Sequence, residues 1–181
     1  MKLVLPLLLV AQTALAQEDT CPQAPDHSAE TDRIIAELRV APDEATARRI
    51  SQGLWSAWLE APDARAQALL DRGMALREQF AFLESRDVLD ELVEYCPDYA
   101  EGYNQRAFAS FLRRDFDSAL PDLERALELN PKHVAALSGK ALTLMGLGRD
   151  EEAQRALRSA LDLNPWLSER ALLDEPEGED I

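Results

Sequence analysis

Residues Ala100 to His133 read AEGYNQRAFASFLRRDFDSALPDLERALELNPKH. The apolar spacing describes two short amphipathic helices joined by a turn near Asp115. Asn130-Pro131 closes the stretch, because the residue before a proline is driven out of the helical region. A shift of 34 residues lays the pattern over its neighbours. Pro97, Pro131 and Pro165 share one phase, Leu89, Leu123 and Leu157 a second, and Ser85, Ala119 and Ala153 a third. Self-similarity at this period means stacked helix pairs rather than one globular core. Three full units follow, 66–99, 100–133 and 134–167.

Working outward, the first helix of each unit carries a small residue at one phase, Gly73, Ala107 and Ala141, where close helix approach is expected. In the last unit Gly146 and Gly148 mark the turn, and Asp150 is placed to cap the helix that follows. Upstream, residues 28–65 read as a degenerate helix pair. Ser28 to Arg39 carries Ile34, Ile35 and Leu38 at helical spacing, with Ser28 or Thr31 as N-cap, and Pro42 stops it. Asp43 to Glu60 carries Ile50, Leu54, Trp55, Trp58 and Leu59 on its apolar face. Ser51, Trp55 and Trp58 lie 34 before Ser85, Leu89 and Leu92, so the pair is expected to be the first step of the stack, with Trp58 filling volume beside a shortened partner. Residues 17–27, with Pro22 and Pro25, read as an extended arm. Residues 168–181 read as a short capping helix and a disordered tail, since Asp174 to Ile181 holds five acids and no base.

The chain has 181 residues, 46% of them apolar, and only seven glycines, which suits a helical core and argues against a large sheet. Lys2, the apolar run Leu3 to Ala11 and Ala14-Leu15-Ala16 predict a cleaved signal peptide over 1–16, too short for a comfortable membrane span. Cys21 is not adjacent to the cleavage site and so is not placed for lipid attachment. The formal net charge of −15 repels nucleic acid and anionic lipid. Export puts Cys21 and Cys96 where disulfides persist, and a bond between them would tie the arm to the first full unit; free thiols, or pairing of Cys21 between chains, are the alternatives. His27 and His133 have no ligand spacing and read as ordinary polar residues, so no metal or cofactor is expected. No nucleophile motif, phosphate loop or H-E-x-x-H occurs, and the carboxylates fall on solvated helix faces, which points away from catalysis.

The unit resembles the tetratricopeptide repeat. Tyr103, Ala107, Ala119, Leu123, Ala126 and Pro131 meet its pattern in turn, as do Leu137, Ala141, Ala153, Leu157, Ala160 and Pro165. Leu69, Gly73, Ser85, Leu89 and Pro97 follow it in the first unit, where Leu92 departs from the usual small residue. Arg106 and Lys140 replace a frequent leucine. The resemblance implies an all-α, right-handed superhelix (α-solenoid) of antiparallel helix pairs, with the first helix of each pair lining a concave groove. On the groove positions it places Leu70, Met74 and Arg77, then Asn104, Phe108, Phe111 and Leu112, then Leu142 and Met145. Only Asn104 and Arg77 resemble the polar clamp with which chaperone-binding relatives hold acidic tails, so that clamp is not expected. The apolar centre would receive a partner peptide or amphipathic helix, or else be covered by the protein's own arm or terminal helix. The implied role is a non-catalytic protein–protein interaction scaffold in the periplasm of a Gram-negative bacterium. The alternative is an assembly factor for a cell-envelope or exported-cytochrome complex. The chain is read as a monomer, or as a homodimer joined through the tryptophans of the degenerate pair.

Overall fold

The computed structural model describes residues 20–174; the expected leader and the last seven residues of the acidic tail lie outside them. The described residues fold into α1 (Ser28–Arg39), α2 (Glu44–Trp58), α3 (Ala64–Glu78), α4 (Phe82–Tyr95), α5 (Ala100–Leu112), α6 (Phe116–Leu129), α7 (Val134–Gly146) and α8 (Asp150–Leu163). No strand occurs among the described residues.

Aspartates start three of the helices. Asp43 accepts the Thr46 N–H at 2.7 Å, Asp63 that of Ala66 at 2.8 Å and Asp115 that of Ser118 at 3.3 Å, each satisfying a donor that a helix leaves open at its N-terminus. Asp150 is not a cap: it is the first residue of α8 and, with Glu151 and Glu152, sets negative charge against the positive end of the helix dipole. Neither Ser28 nor Thr31 caps α1, which starts after His27 without a side-chain cap bond. The turn inside each pair repeats at the level of the backbone. Phe80, Arg114 and Gly148, spaced by 34, have φ of 63°, 60° and 70°, and only the last is a glycine.

Helices α3 and α4, α5 and α6, and α7 and α8 pack as antiparallel pairs, with α4 on α5 and α6 on α7 continuing the stack. Contacts of α3 with α5 and of α5 with α7 place the first helices side by side on the concave face of an all-α right-handed superhelix. Gly73 marks a close approach, since a Cβ there would sit 2.6 Å from Cγ of Leu89. Where the family pattern has leucine, cations bridge helices: Arg106 donates to Asp122 and Asp90, both at 2.8 Å, and Lys140 to Glu124 at 3.1 Å. The Asp122 hydrogen bond, chiefly, raises the Arg106 pKa above its ordinary value.

The N-terminal pair is not the first step of the stack. Helix α1 packs on α8, at the far end, and α2 makes little contact with α3. Ile34, Ile35, Leu38, Leu54 and Trp58 share one core with Val134 of α7, joined by Leu163, Trp166 and Leu167. Polar bonds lock the seam: the Trp166 indole N–H donates to the Leu38 carbonyl at 3.1 Å, Arg39 to the Asp162 carbonyl at 2.8 Å, and Lys132 to Asp32 at 2.7 Å. The last pair of a solenoid must bury its outer apolar face. The segment expected to do so is only a 3-10 turn, Ser168–Leu172, so α1 takes that place. Trp58 shares the core formed with Ile34, Ile35 and Leu38 of its partner helix and also reaches past it. Its ring stacks on His133, centroids 4.1 Å apart and planes 18° apart, and its carbonyl accepts the Tyr99 hydroxyl at 2.7 Å. A disulfide joins Cys21 to Cys96 across 75 residues and pins the arm beside the start of α5.

Candidate functional site

Folding the N-terminal pair across the molecule encloses a cavity of about 800 Å3. One wall is the concave face, from α3, α5 and α7; the other is α2, with residues 164–169 closing an end. Met74, Arg77, Asn104, Phe108, Phe111 and Leu142 stand on the first wall. Leu70, Leu112 and Met145 do not. Leu70 is fully buried in the core that includes Leu89 and Leu92, Leu112 is exposed at the end of α5, and Met145 packs over Leu120, Ala141 and Leu144.

From the sequence, the second wall reads as a dimer contact and not as part of the groove. Trp55 and Trp58 stand on it with Leu54 and Leu59, the two indole rings in edge contact with centroids 5.5 Å apart. Trp55 remains 42% exposed and Phe108 44%, so an aromatic residue from each wall stays open to a ligand. Ser138 and Gln105 add polar groups to the floor.

Behind that floor lies a buried polar network. Glu101 has no access to water and takes hydrogen bonds from Asn104 Nδ2 at 3.2 Å, from Gln105 Nε2 and from His133 Nε2 at 2.8 Å. His133 Nδ1 accepts the Ala136 N–H at 3.2 Å, which caps α7 and places the imidazole proton on Nε2. His133 is thus no ordinary surface residue, and only the distant positions 58 and 101, which give it a stack and a carboxylate, make it so. Gln105 in turn accepts from Arg77, whose guanidinium lies 4.6 Å from the centre of the Phe108 ring. Burial lowers the Arg77 pKa, with Glu78 and Glu101 pulling it back. Burial, and next the Glu101 charge, push the Tyr99 phenol far above its ordinary value. The other histidine, His27, lies 2.9 Å from Glu60 beside a second, smaller cavity of about 410 Å3.

Among the described residues no group of three or more His, Cys, Asp or Glu is placed to hold a metal ion, and no helix is long and apolar enough to cross a membrane. What the site offers is a half-open cleft with an apolar, aromatic centre and polar groups around it, among them Glu44, Arg48, Arg77, Asn104 and Glu169, an arrangement suited to binding.

Residues 110–166 match the family model described as tetratricopeptide repeat. A TPR repeat-containing protein of Rhizobium etli is 29% identical over 134 residues, covering 74% of this chain and 66% of that one. A tetratricopeptide repeat protein 36 homolog of Nematostella vectensis is 38% identical over 72 residues, 40% of each chain. The chain therefore spans less than two thirds of the length of these two relatives. Among solved structures, the first TPR of Spaghetti (RPAP3) bound to an HSP90 peptide is similar with a TM-score of 0.59 and 25% identity, covering 61% of this chain and 88% of that one. MamA of Desulfovibrio magneticus is similar with a TM-score of 0.53 and 19% identity, covering 79% and 78%.

Proposed function

The chain is a tetratricopeptide-repeat protein, and on that premise we propose that it is a non-catalytic interaction scaffold, exported to the periplasm, which engages a partner segment at the cavity between α2 and the concave face. The observation that carries this reading is the pair of open aromatic residues, Trp55 and Phe108, on opposing walls of one apolar enclosure. Similarity to a repeat domain bound to an HSP90 peptide supports a peptide-binding role. The polar clamp of chaperone-binding relatives, which the sequence did not lead us to expect, finds no support in the geometry either, since Asn104 is turned to Glu101 and Arg77 to Gln105. A long partner helix is disfavoured because α2 already lies over the face it would use; a short segment that inserts an apolar side chain suits the space. The Cys21–Cys96 bond supports export, since such bonds persist in oxidising compartments.

A photoreactive residue at position 108 of the exported, full-length protein tests the reading. Capture of one discrete foreign protein, lost with Leu142→Asp and kept with Met145→Ala, is expected; adducts only within the chain would overturn it. The protein itself is also expected to begin at Gln17 and to leave cells in the osmotic-shock fraction.

A further inference from the structure

Two guanidiniums line the cavity, and they differ in one respect. Arg48 is bonded to Glu44 at 3.1 Å, whereas among the described residues no carboxylate lies within ion-pair distance of Arg77. Arg77 is partly buried, bonded to the neutral oxygen of Gln105 and laid over Phe108. Of the two acids that act on it, Glu101 is already committed to Asn104, Gln105 and His133, and Glu78, its neighbour in the chain, is exposed to solvent. In a chain with 34 acidic and 19 basic residues, a half-buried cation without a carboxylate is an unfilled site for an anion.

The walls fix the rest of the ligand. Trp55, Phe108 and Leu142 offer apolar area, and a volume of about 800 Å3 lies in the range of compact small-molecule sites. Glu44 is neutralised by Arg48 and Arg170, and Glu169 sits on the 3-10 turn at the opposite end from the repeats that carry Arg77. We propose that the cavity binds a small amphipathic carboxylate, an aryl or medium-chain acyl acid, its apolar body between Trp55 and Phe108 and its carboxylate on Arg77. This goes beyond the partner reading, because it gives the cavity a small-molecule ligand, which competes with the partner segment for the space between Trp55 and Phe108.

Calorimetric titration of the oxidised full-length protein tests it, with naphthalene-2-carboxylate and decanoate as probes, and naphthalene-2-carboxamide and 2-naphthylmethylammonium as controls. Saturable binding of a carboxylate, at least about tenfold tighter than of the amide, is expected, since a charge-assisted bidentate bond is replaced by a neutral one. Arg77→Gln is expected to remove that difference and leave amide binding unchanged, Arg77→Lys to keep part of it, and Phe108→Ala to weaken both ligands. Circular dichroism of each variant checks the fold. Equal affinity for carboxylate and amide, preference for the ammonium, no saturable binding, or carboxylate binding indifferent to Arg77→Gln would each overturn the proposal. Binding only of a peptide ending in a free apolar carboxylate would overturn it too, and would move the carboxylate to a partner's C-terminus. Capture of a partner at position 108 is read separately, so either idea can fail alone.

Discussion

At position 101 a carboxylate is shut away from water, with three donors converging on it: an asparagine, a glutamine and a histidine. Breaking a buried pair of this kind costs far more than its net worth, because the remaining partners are left without acceptors. Glu101→Ala is therefore expected to lower stability by about 3 kcal/mol in urea unfolding. His133→Ala is expected to do the same, since it removes the cap of α7 and the ring beneath Trp58 along with the hydrogen bond. A change below about 0.5 kcal/mol, the scale of an ordinary surface substitution, would mean that Glu101 is solvated and the network absent. Nothing in the sequence announces this group. Glu101, Asn104 and Gln105 follow each other at spacings that also suit a wet helix face, and His133 stands before a helix like any polar residue. The burial of His133 involves Trp58, which stacks on its ring from 75 residues upstream, an event of tertiary packing rather than of pattern.

At the scale of the element, the 34-residue period carries most of the fold, because identical phases of Pro, Leu and small residues leave stacked pairs as the one arrangement that buries every apolar face. The left-handed turn residues show where the reading thins. Gly148 signals its conformation openly, while Phe80 and Arg114 adopt it with side chains that give no sign. The groove was legible along its middle, at Met74, Phe108 and Leu142, and misread at Leu70, which turns towards α4, and at Met145, which turns towards α6. The arm and its disulfide are the element whose removal is most informative. The Cys21–Cys96 bond closes a long loop over α1 to α4, and its loss is expected to cost about 3 kcal/mol. Because that bond holds the chain just ahead of α1, reduction is expected to shift the tryptophan fluorescence transition to lower urea than the helical signal at 222 nm, as the cover leaves before the repeats unfold. Coincident transitions at an unchanged midpoint would show that the bond holds nothing the repeats do not hold themselves.

For the whole molecule, the decisive feature is that the N-terminal pair crosses to the far end of the solenoid. The sequence displays its apolar face, Ile34, Ile35, Leu38 and Leu54, but the same face would serve equally well as a first step on α3; what selects α8 is the weakness of the C-terminal cap, which a residue pattern does not weigh against it. On this closure rest the cavity, the second aromatic wall and the ligand proposed for it. A zero-length carbodiimide coupling, followed by peptide mapping of the oxidised protein, tests it directly, because lysines beyond the leader occur only at 132 and 140. Lys140 lies 3.1 Å from Glu124 within the repeats and serves as the internal standard, while Lys132 lies 2.7 Å from Asp32, 100 residues away in α1. Both links, 140–124 and 132–32, are expected in monomeric material. The standard link without any coupling of Lys132 to α1 would contradict the closure and leave an open groove.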